Sequence, residues 1–154
     1  MKVKDFMITD VISATPEMTL AEVMALFVEK EIGGVPVCSG DGELLGMVTD
    51  GDILRAIQPI DRKIFDFLLY MECMEEMDVK TRLKETAGAP ILSIAKTKNL
   101  VTVTPDDDVN LAVKHLSTHH FKKLPVIDEA NQVVGVISRG DAIRKIQSSL
   151  LKDL

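Results

Sequence analysis

Cysteine is scarce in this 154-residue chain, and Cys38 and Cys73 follow neither CxxC nor any other zinc spacing. That argues against a zinc centre, and both thiols are expected to be reduced packing residues rather than a bridge. No apolar run approaches the ~20 residues of a membrane span, and no apolar stretch before a small-residue cleavage site marks a leader. The expectation is a cytoplasmic chain with no membrane partner. Basic residues are also in deficit, with 18 Lys and Arg against 24 Asp and Glu, a net charge of -6 and a pI near 5.0. General electrostatic binding to nucleic acid is therefore not expected, and any anion must be held locally. Catalytic signatures are missing too: there is no Ser-His-Asp spacing, reactive-cysteine context, phosphate-cradling glycine loop or clustered carboxylate pair. No enzyme is expected. His115 and His119 stand four apart, but no HExxH acid lies between them and no third ligand follows by spacing.

What the chain does contain is one stretch written twice. Gly46-Met47-Val48-Thr49-Asp50-Gly51-Asp52-Ile53 reappears 89 positions on as Gly135-Val136-Ile137-Ser138-Arg139-Gly140-Asp141-Ala142. Each copy is an apolar run, a hydroxyl, an aspartate three residues later and a second apolar run, which reads as a strand handing over to a helix. A Ser or Thr with an acid three residues on has the form of a capping box. The same geometry supports a second reading, because a helix N-terminus offers unpaired N–H groups and a positive dipole end that suit a phosphate. The aspartate is then free to hold a sugar hydroxyl pair.

At 46% hydrophobic and 27% charged, the chain is long enough to bury a substantial core in one unit. In order, Val3, Phe6 and Met7 share one side of a short helical turn, and Val11 to Thr15 reads as a strand stopped by Pro16. Thr19 and Glu22 form a capping box for a helix whose stripe is Leu20, Val23, Met24, Phe27 and Val28, ended by Gly33-Gly34. Val35 to Cys38 and Glu43 to Val48 pair as a hairpin across Ser39-Gly40-Asp41-Gly42, and a helix runs from the cap motif through Ile57. The order is strand, helix, strand, strand, helix. Residues 91 to 146 repeat it with no gap. Thr15-Pro16 matches Thr104-Pro105, Pro36-Val37 matches Pro125-Val126, and Leu20, Val23, Met24, Phe27 and Ile32 match Val109, Ala112, Val113, Leu116 and Phe121, with Asp108 as the second N-cap. Neither copy can bury its apolar face alone, so the two are expected to pack about a pseudo-twofold axis with clefts between them. The fold class expected is α/β (α+β), with repeat one at 1–57, a helical insert at 58–90 and repeat two at 91–154. In the insert, Ile64, Phe67, Leu68, Met71 and Met74 form a helical stripe, and Asp78 caps a second helix through about Thr86 with Gly88 as its stop.

Paired units with Thr-Pro before the first helix, a Pro-Val strand and Gly-apolar-x-Thr/Ser-x-x-Asp closing the hairpin resemble the tandem cystathionine-β-synthase (CBS) domain pair, or Bateman module, here standing alone. The resemblance implies an adenosine-containing ligand, such as AMP, ADP, ATP or S-adenosylmethionine, held between the copies, and a change of shape that reports its occupancy. By position, Thr49 and Ser138 would face phosphates, and Asp52 and Asp141 would hold ribose hydroxyls. The adenine would lie near Ile12, Ala14 and Thr15 in one copy and Val101, Val103 and Thr104 in the other, with Val35-Pro36 and Leu124-Pro125 lining the pocket. The family's habit implies a disc-like homodimer, with an effector protein as a further partner. Lys122, Lys123 and Arg139 of copy two stand where copy one has Gly33, Gly34 and Asp50. A phosphate-bearing ligand is therefore expected to prefer the cleft of Ser138, Arg139 and Asp141, because ionic hydrogen bonds contribute roughly 1.5–3 kcal/mol each. The two lysines can serve both clefts or remain solvated, and His119 or His120 can add a donor. The competing expectation is a structural interaction module with degenerate pockets.

Overall fold

Two β-hairpins, each flanked by a helix on either side in sequence, make up the computed structural model, which describes residues 1–59, 78–118 and 122–154. In the first repeat α1 spans Leu20–Lys30, β1 Gly34–Cys38, β2 Leu44–Thr49 and α2 Asp50–Ile57. After α3 (Val79–Thr86), the second repeat supplies α4 (Val109–Ser117), β3 (Lys123–Ile127), β4 (Val133–Ser138) and α5 (Arg139–Leu150). The expected stripe Ile64, Phe67, Leu68, Met71 and Met74 lies outside the described residues, as do Cys73, His119, His120 and Phe121.

Local signals set the helix starts. Thr19 and Glu22 exchange bonds across the first turn of α1 (2.8 and 3.3 Å). Asp78 Oδ1 accepts from the Thr81 amide at 2.8 Å and starts α3, and Asp108 Oδ1 accepts from the Asn110 amide at 2.8 Å and starts α4. The end of α1 differs from expectation. It stops at Lys30 on Glu31, a non-glycine residue in the left-handed region at φ 52°, before the Gly33-Gly34 pair is reached. The apolar stripe is also narrower than expected: Leu20, Val23 and Phe27 are buried while Val28 is 80% exposed. Val28 stands eight residues after Leu20, about 80° around the helix at 3.6 residues per turn, which puts it at the stripe's edge.

The strand expected at Val11 to Thr15 is reduced to one parallel bridge. The Ala14 amide donates to the Pro36 carbonyl (2.9 Å), and the Cys38 amide donates to the Ala14 carbonyl (2.9 Å). To continue in either direction, a parallel ladder needs an N–H from residue 36 or from residue 16, and both are proline. The second repeat has the same stop: Val103 bridges Val126, with prolines at 105 and 125. The sheets are accordingly two-stranded, β1 with β2 and β3 with β4, both antiparallel.

The two repeats are joined by exchanged arms. Residues 1–8 pack on the second repeat: the Val3 amide donates to the Asp107 carbonyl, the Val109 amide to the Met1 carbonyl (both 2.9 Å), and Ile8 bridges Val136. The segment before the second repeat returns the exchange. The Ile91 amide donates to the Met18 carbonyl, the Leu20 amide to the Ala89 carbonyl (both 2.9 Å), and Lys96 bridges Met47. Val3 is therefore buried in the second core with Val103, Leu124 and Ile137, and Ile91 in the first with Val35, Val37 and Val48. Fully burying either side chain is worth roughly 1.5–3 kcal/mol. Arm positions correspond at an offset of 88 rather than 89, Val3 to Ile91 and Ile8 to Lys96. The repeat is therefore not gapless: one extra residue lies between Lys96 and Val103, where Asn99 takes a positive φ of 53°. At the hairpin tips the Leu44 amide donates to the Asn131 carbonyl and the Val133 amide to the Gly42 carbonyl, both 3.0 Å, a reciprocal pair across the pseudo-twofold axis.

The repeated glycine is where each arm lies down. A Cβ on Gly46 would stand 3.0 Å from the Lys96 carbonyl oxygen, and one on Gly135 would stand 3.2 Å from that of Ile8 and 2.6 Å from the Met7 sulfur. Backbone on both sides leaves little room to yield at position 46. Gly46→Ala is expected to lower stability by about 1–3 kcal/mol in urea unfolding. A change under about 0.5 kcal/mol, the range of ordinary surface substitutions, would contradict this packing.

Candidate functional site

The first repeated motif folds as a capping box and the second as an N-cap. The Thr49 amide and hydroxyl donate to Asp52 Oδ2 at 2.9 and 3.1 Å at the start of α2. At α5 the Ser138 hydroxyl donates to Asp141 Oδ2, and the Asp141 amide donates to Ser138 Oγ at 3.2 Å. The second oxygen of each carboxylate is also engaged. Arg55 donates to Asp52 Oδ1 at 2.6 Å, and Arg144 donates to Asp141 Oδ1 at 2.7 Å. The carboxylates are 17% and 25% exposed, so each remains open at one side. The arginine partners were not assigned a role from the sequence, although an Asp followed three residues later by Arg in both copies was the available signal. The Ser138 hydroxyl, aided by Arg144 and Lys123, holds the Asp141 carboxyl below its ordinary value, against the opposing effect of burial.

Two lysines cross from the second repeat to the first. Lys122 Nζ lies 3.1 Å from Asp50 Oδ1 beside the first cap, while the Lys122 carbonyl accepts from the Arg139 amide at the second cap. Lys123 Nζ donates to the Gly34 carbonyl at 2.9 Å, an oxygen left outside the parallel ladder by Pro36. Burial pushes the Lys123 ammonium below its ordinary value, and the Asp141 charge works in the opposite direction. The two caps and the two lysines thus form one polar strip across the axis.

The other residues singled out in the sequence divide into two groups. Ala14, Val35, Val103 and Leu124 are buried at 0–1% exposure inside the two cores, and Pro36 and Pro125 are buried with them. Thr15 and Thr104 are exposed, and Ile12 and Val101 are half-buried at the adjoining edges. Arg139 points to α4, donating to the carbonyls of Leu116 (3.1 Å) and Thr118 (3.4 Å). It lines an apolar cleft of ≈ 450 Å³ between α4 and α5, with Val113, Leu116, Ile143 and Ile146. His115 is half-buried near the end of α4. Cys38 is buried, and that burial raises its thiol above the ordinary value, as suits an unreactive packing residue. A second cleft, of ≈ 330 Å³, adjoins Asp52 and is bounded by Arg55, Ala56, Arg82, Thr86, Ser93 and Ile94. Among the described residues no helix is long and apolar enough to cross a membrane.

Comparison with known proteins gives the same architecture. The CBS-domain family model matches twice, at residues 3–59 and 93–148. An uncharacterized protein of Methanocaldococcus jannaschii is 29% identical, over 95% of this chain and 91% of its own length. The chain spans only about a quarter of the archaeal homoserine O-acetyltransferases it also matches, 24% in the Methanohalobium evestigatum protein at 28% identity over 94% of this chain. Among solved structures, CBSX2 in complex with AMP matches at TM-score 0.71 and 23% identity, covering 96% of each chain. The CBS domain pair of protein MJ0100, in complex with 5′-methylthioadenosine and S-adenosyl-L-methionine, matches at TM-score 0.70 and 21% identity over 97% and 98% of the two chains. At these identities the structures establish the fold.

The depressed Asp141 carboxyl has a consequence for acid stability. Its contribution is in place above the ordinary carboxylate value near 3.8 and is lost as pH falls through the lower folded value. Asp141→Asn is expected to cost about 1 kcal/mol at neutral pH, with the gap to the parent closing below about pH 4 in urea midpoints. A gap that stays constant into acid would show that the carboxylate charge contributes nothing.

Proposed function

We propose, from the premise that this chain belongs to the CBS-domain family, that it is a regulatory module holding an adenosine-containing ligand between its repeats. The carrying observation is the polar strip: two helix N-termini with Thr49-Asp52 and Ser138-Asp141, bridged by Lys122 and Lys123 reaching across the axis. Helix N-termini and lysines suit phosphate, and carboxylates open on one side suit ribose hydroxyls. AMP, ADP, ATP and S-adenosylmethionine are the candidate ligands, with Ile12, Thr15, Val101 and Thr104 the accessible residues beside the strip. The reading gives the chain no catalytic residue and places it in the cytoplasm as an energy or metabolite sensor. Because Arg139 serves α4, the cation set for phosphate is Lys122 and Lys123, shared by both clefts. A second copy would cover the apolar cleft of Val113, Leu116, Ile143 and Ile146, forming a homodimer able to present an altered surface to an effector protein.

One observation favours the alternative of a structural module with degenerate pockets. Asp52 and Asp141 already have both oxygens engaged, and Ala14, Val35, Val103 and Leu124 are committed to the cores. A thermal melt with each ligand separates the two. Binding at 100 times the dissociation constant stabilises by about 2.7 kcal/mol, several degrees for a chain of this size. A shift with at least one of the four ligands, weakened by Asp52→Ala or Asp141→Ala, is the expected result. Unmoved melts with all four would favour the structural module, and a monomer in sedimentation would remove the second copy.

A further inference from the structure

Beside Asp52 the pseudo-symmetry fails, and the failure opens a cleft. Positions Asp52, Arg55 and Ala56 on α2 correspond to Asp141, Arg144 and Lys145 on α5, and the arm residues Ser93 and Ile94 correspond to Asp5 and Phe6. In the second repeat the Lys145 ammonium donates to the Phe6 carbonyl at 2.9 Å and occupies the space between helix and arm. In the first repeat that lysine is Ala56, the acid is Ser93, and a space of ≈ 330 Å³ remains.

The second wall of this cleft comes from outside the repeats. Helix α3 packs on α2 and contributes Arg82 and Thr86. Among the described residues Arg82 Nε is buried with no hydrogen-bond partner, and Glu85 makes a long ion pair with its Nη1 at 3.7 Å. A buried guanidinium nitrogen without an acceptor is unfavourable. Across the cleft Arg55 uses Nη2 on Asp52, and among the described residues its other donors remain open. The hydroxyls of Thr86 and Ser93 donate to the carbonyls of Arg82 (2.8 Å) and Pro90 (2.6 Å), so each oxygen is left to act as an acceptor. Arg55 holds Asp52 closely while Arg82 holds Glu85 only at 3.7 Å, so among the described residues both guanidinium groups keep donors for an oxyanion, and planar guanidinium donors match phosphate in pairs. The volume exceeds that of a bare anion and suits a phosphorylated sugar or mononucleotide.

We propose that the cleft between α2, α3 and residues 89–94 binds a small phosphate ester, with its phosphate between Arg55 and Arg82 and its hydroxyls on Thr86, Ser93 and Asp52. This deepens the nucleotide reading only by sharing Asp52; the arginine pair is its own requirement. The ester is held at one side of the module, so occupancy would tie α3 to α2.

Calorimetry on the full chain tests it with ribose 5-phosphate, AMP, adenosine and inorganic phosphate. Ribose 5-phosphate is expected to bind, and Arg82→Ala to weaken it at least tenfold while Lys84→Ala, on the same helix, leaves it unchanged. Ala56→Lys, which imports the closing lysine of the second repeat, is expected to abolish the same binding in a chain that still unfolds cooperatively. AMP binding should retain a component insensitive to Arg82, and adenosine should not respond to Arg82→Ala at all. Absence of ribose 5-phosphate binding, or binding equal in the parent, Arg82→Ala and Ala56→Lys chains, overturns the site. Loss of adenosine and AMP binding with ribose 5-phosphate retained would instead remove the adenosine reading and leave this site standing. Binding of inorganic phosphate alone, with no gain from the sugar, would contradict the assigned hydroxyl contacts.

Discussion

The exchange of arms is the constraint from which the rest of the structure follows. Neither repeat can close its core with its own leading segment, because that segment is buried in the other: Val3 under Leu124 and Ile137, Ile91 under Val35 and Val48. Gly46 and Gly135 exist as the bare surface on which an arm's backbone rests. The arms and the reciprocal bonds at the hairpin tips fix one axis, and the axis fixes the distance between the two helix N-termini. The polar strip is thus a product of core packing, with the lysines of β3 laid across it.

Proline does complementary work. Pairs at 16 and 36 and at 105 and 125 deny the parallel ladder its next donors, so each hairpin keeps a half-open edge. The Gly34 carbonyl on that edge is taken by Lys123 instead of by a strand. Backbone polar groups on this edge are thus left to side chains rather than consumed by a sheet.

Much of this was legible in the residues because it is local. The capping boxes at Thr19 and Thr49, the caps at Ser138 and Asp108, the hairpin turns and the short helix started by Asp78 each depend on neighbours two to four positions away. What was not legible depends on distance. Nothing within residues 1–8 states that Val3 is buried against a strand more than a hundred residues later, and the one-residue slip at Asn99 is invisible until both arms are seen in place. Arg139 sits in the motif, and only packing shows that its guanidinium donates to the carbonyls of Leu116 and Thr118 at the end of α4. Arg82 was passed over because it belongs to neither repeat, and only packing brings α3 to α2.

If each core is completed by the other repeat's arm, the repeats cannot open separately, and native-state hydrogen exchange measures this directly. The amides of Cys38 and Ile127, equivalent donors to Ala14 and Val103, report the first and second cores. The account predicts one shared opening free energy for both, equal to that of global unfolding. Exchange at Ile127 through an opening that leaves Cys38 protected, or the reverse, would contradict it.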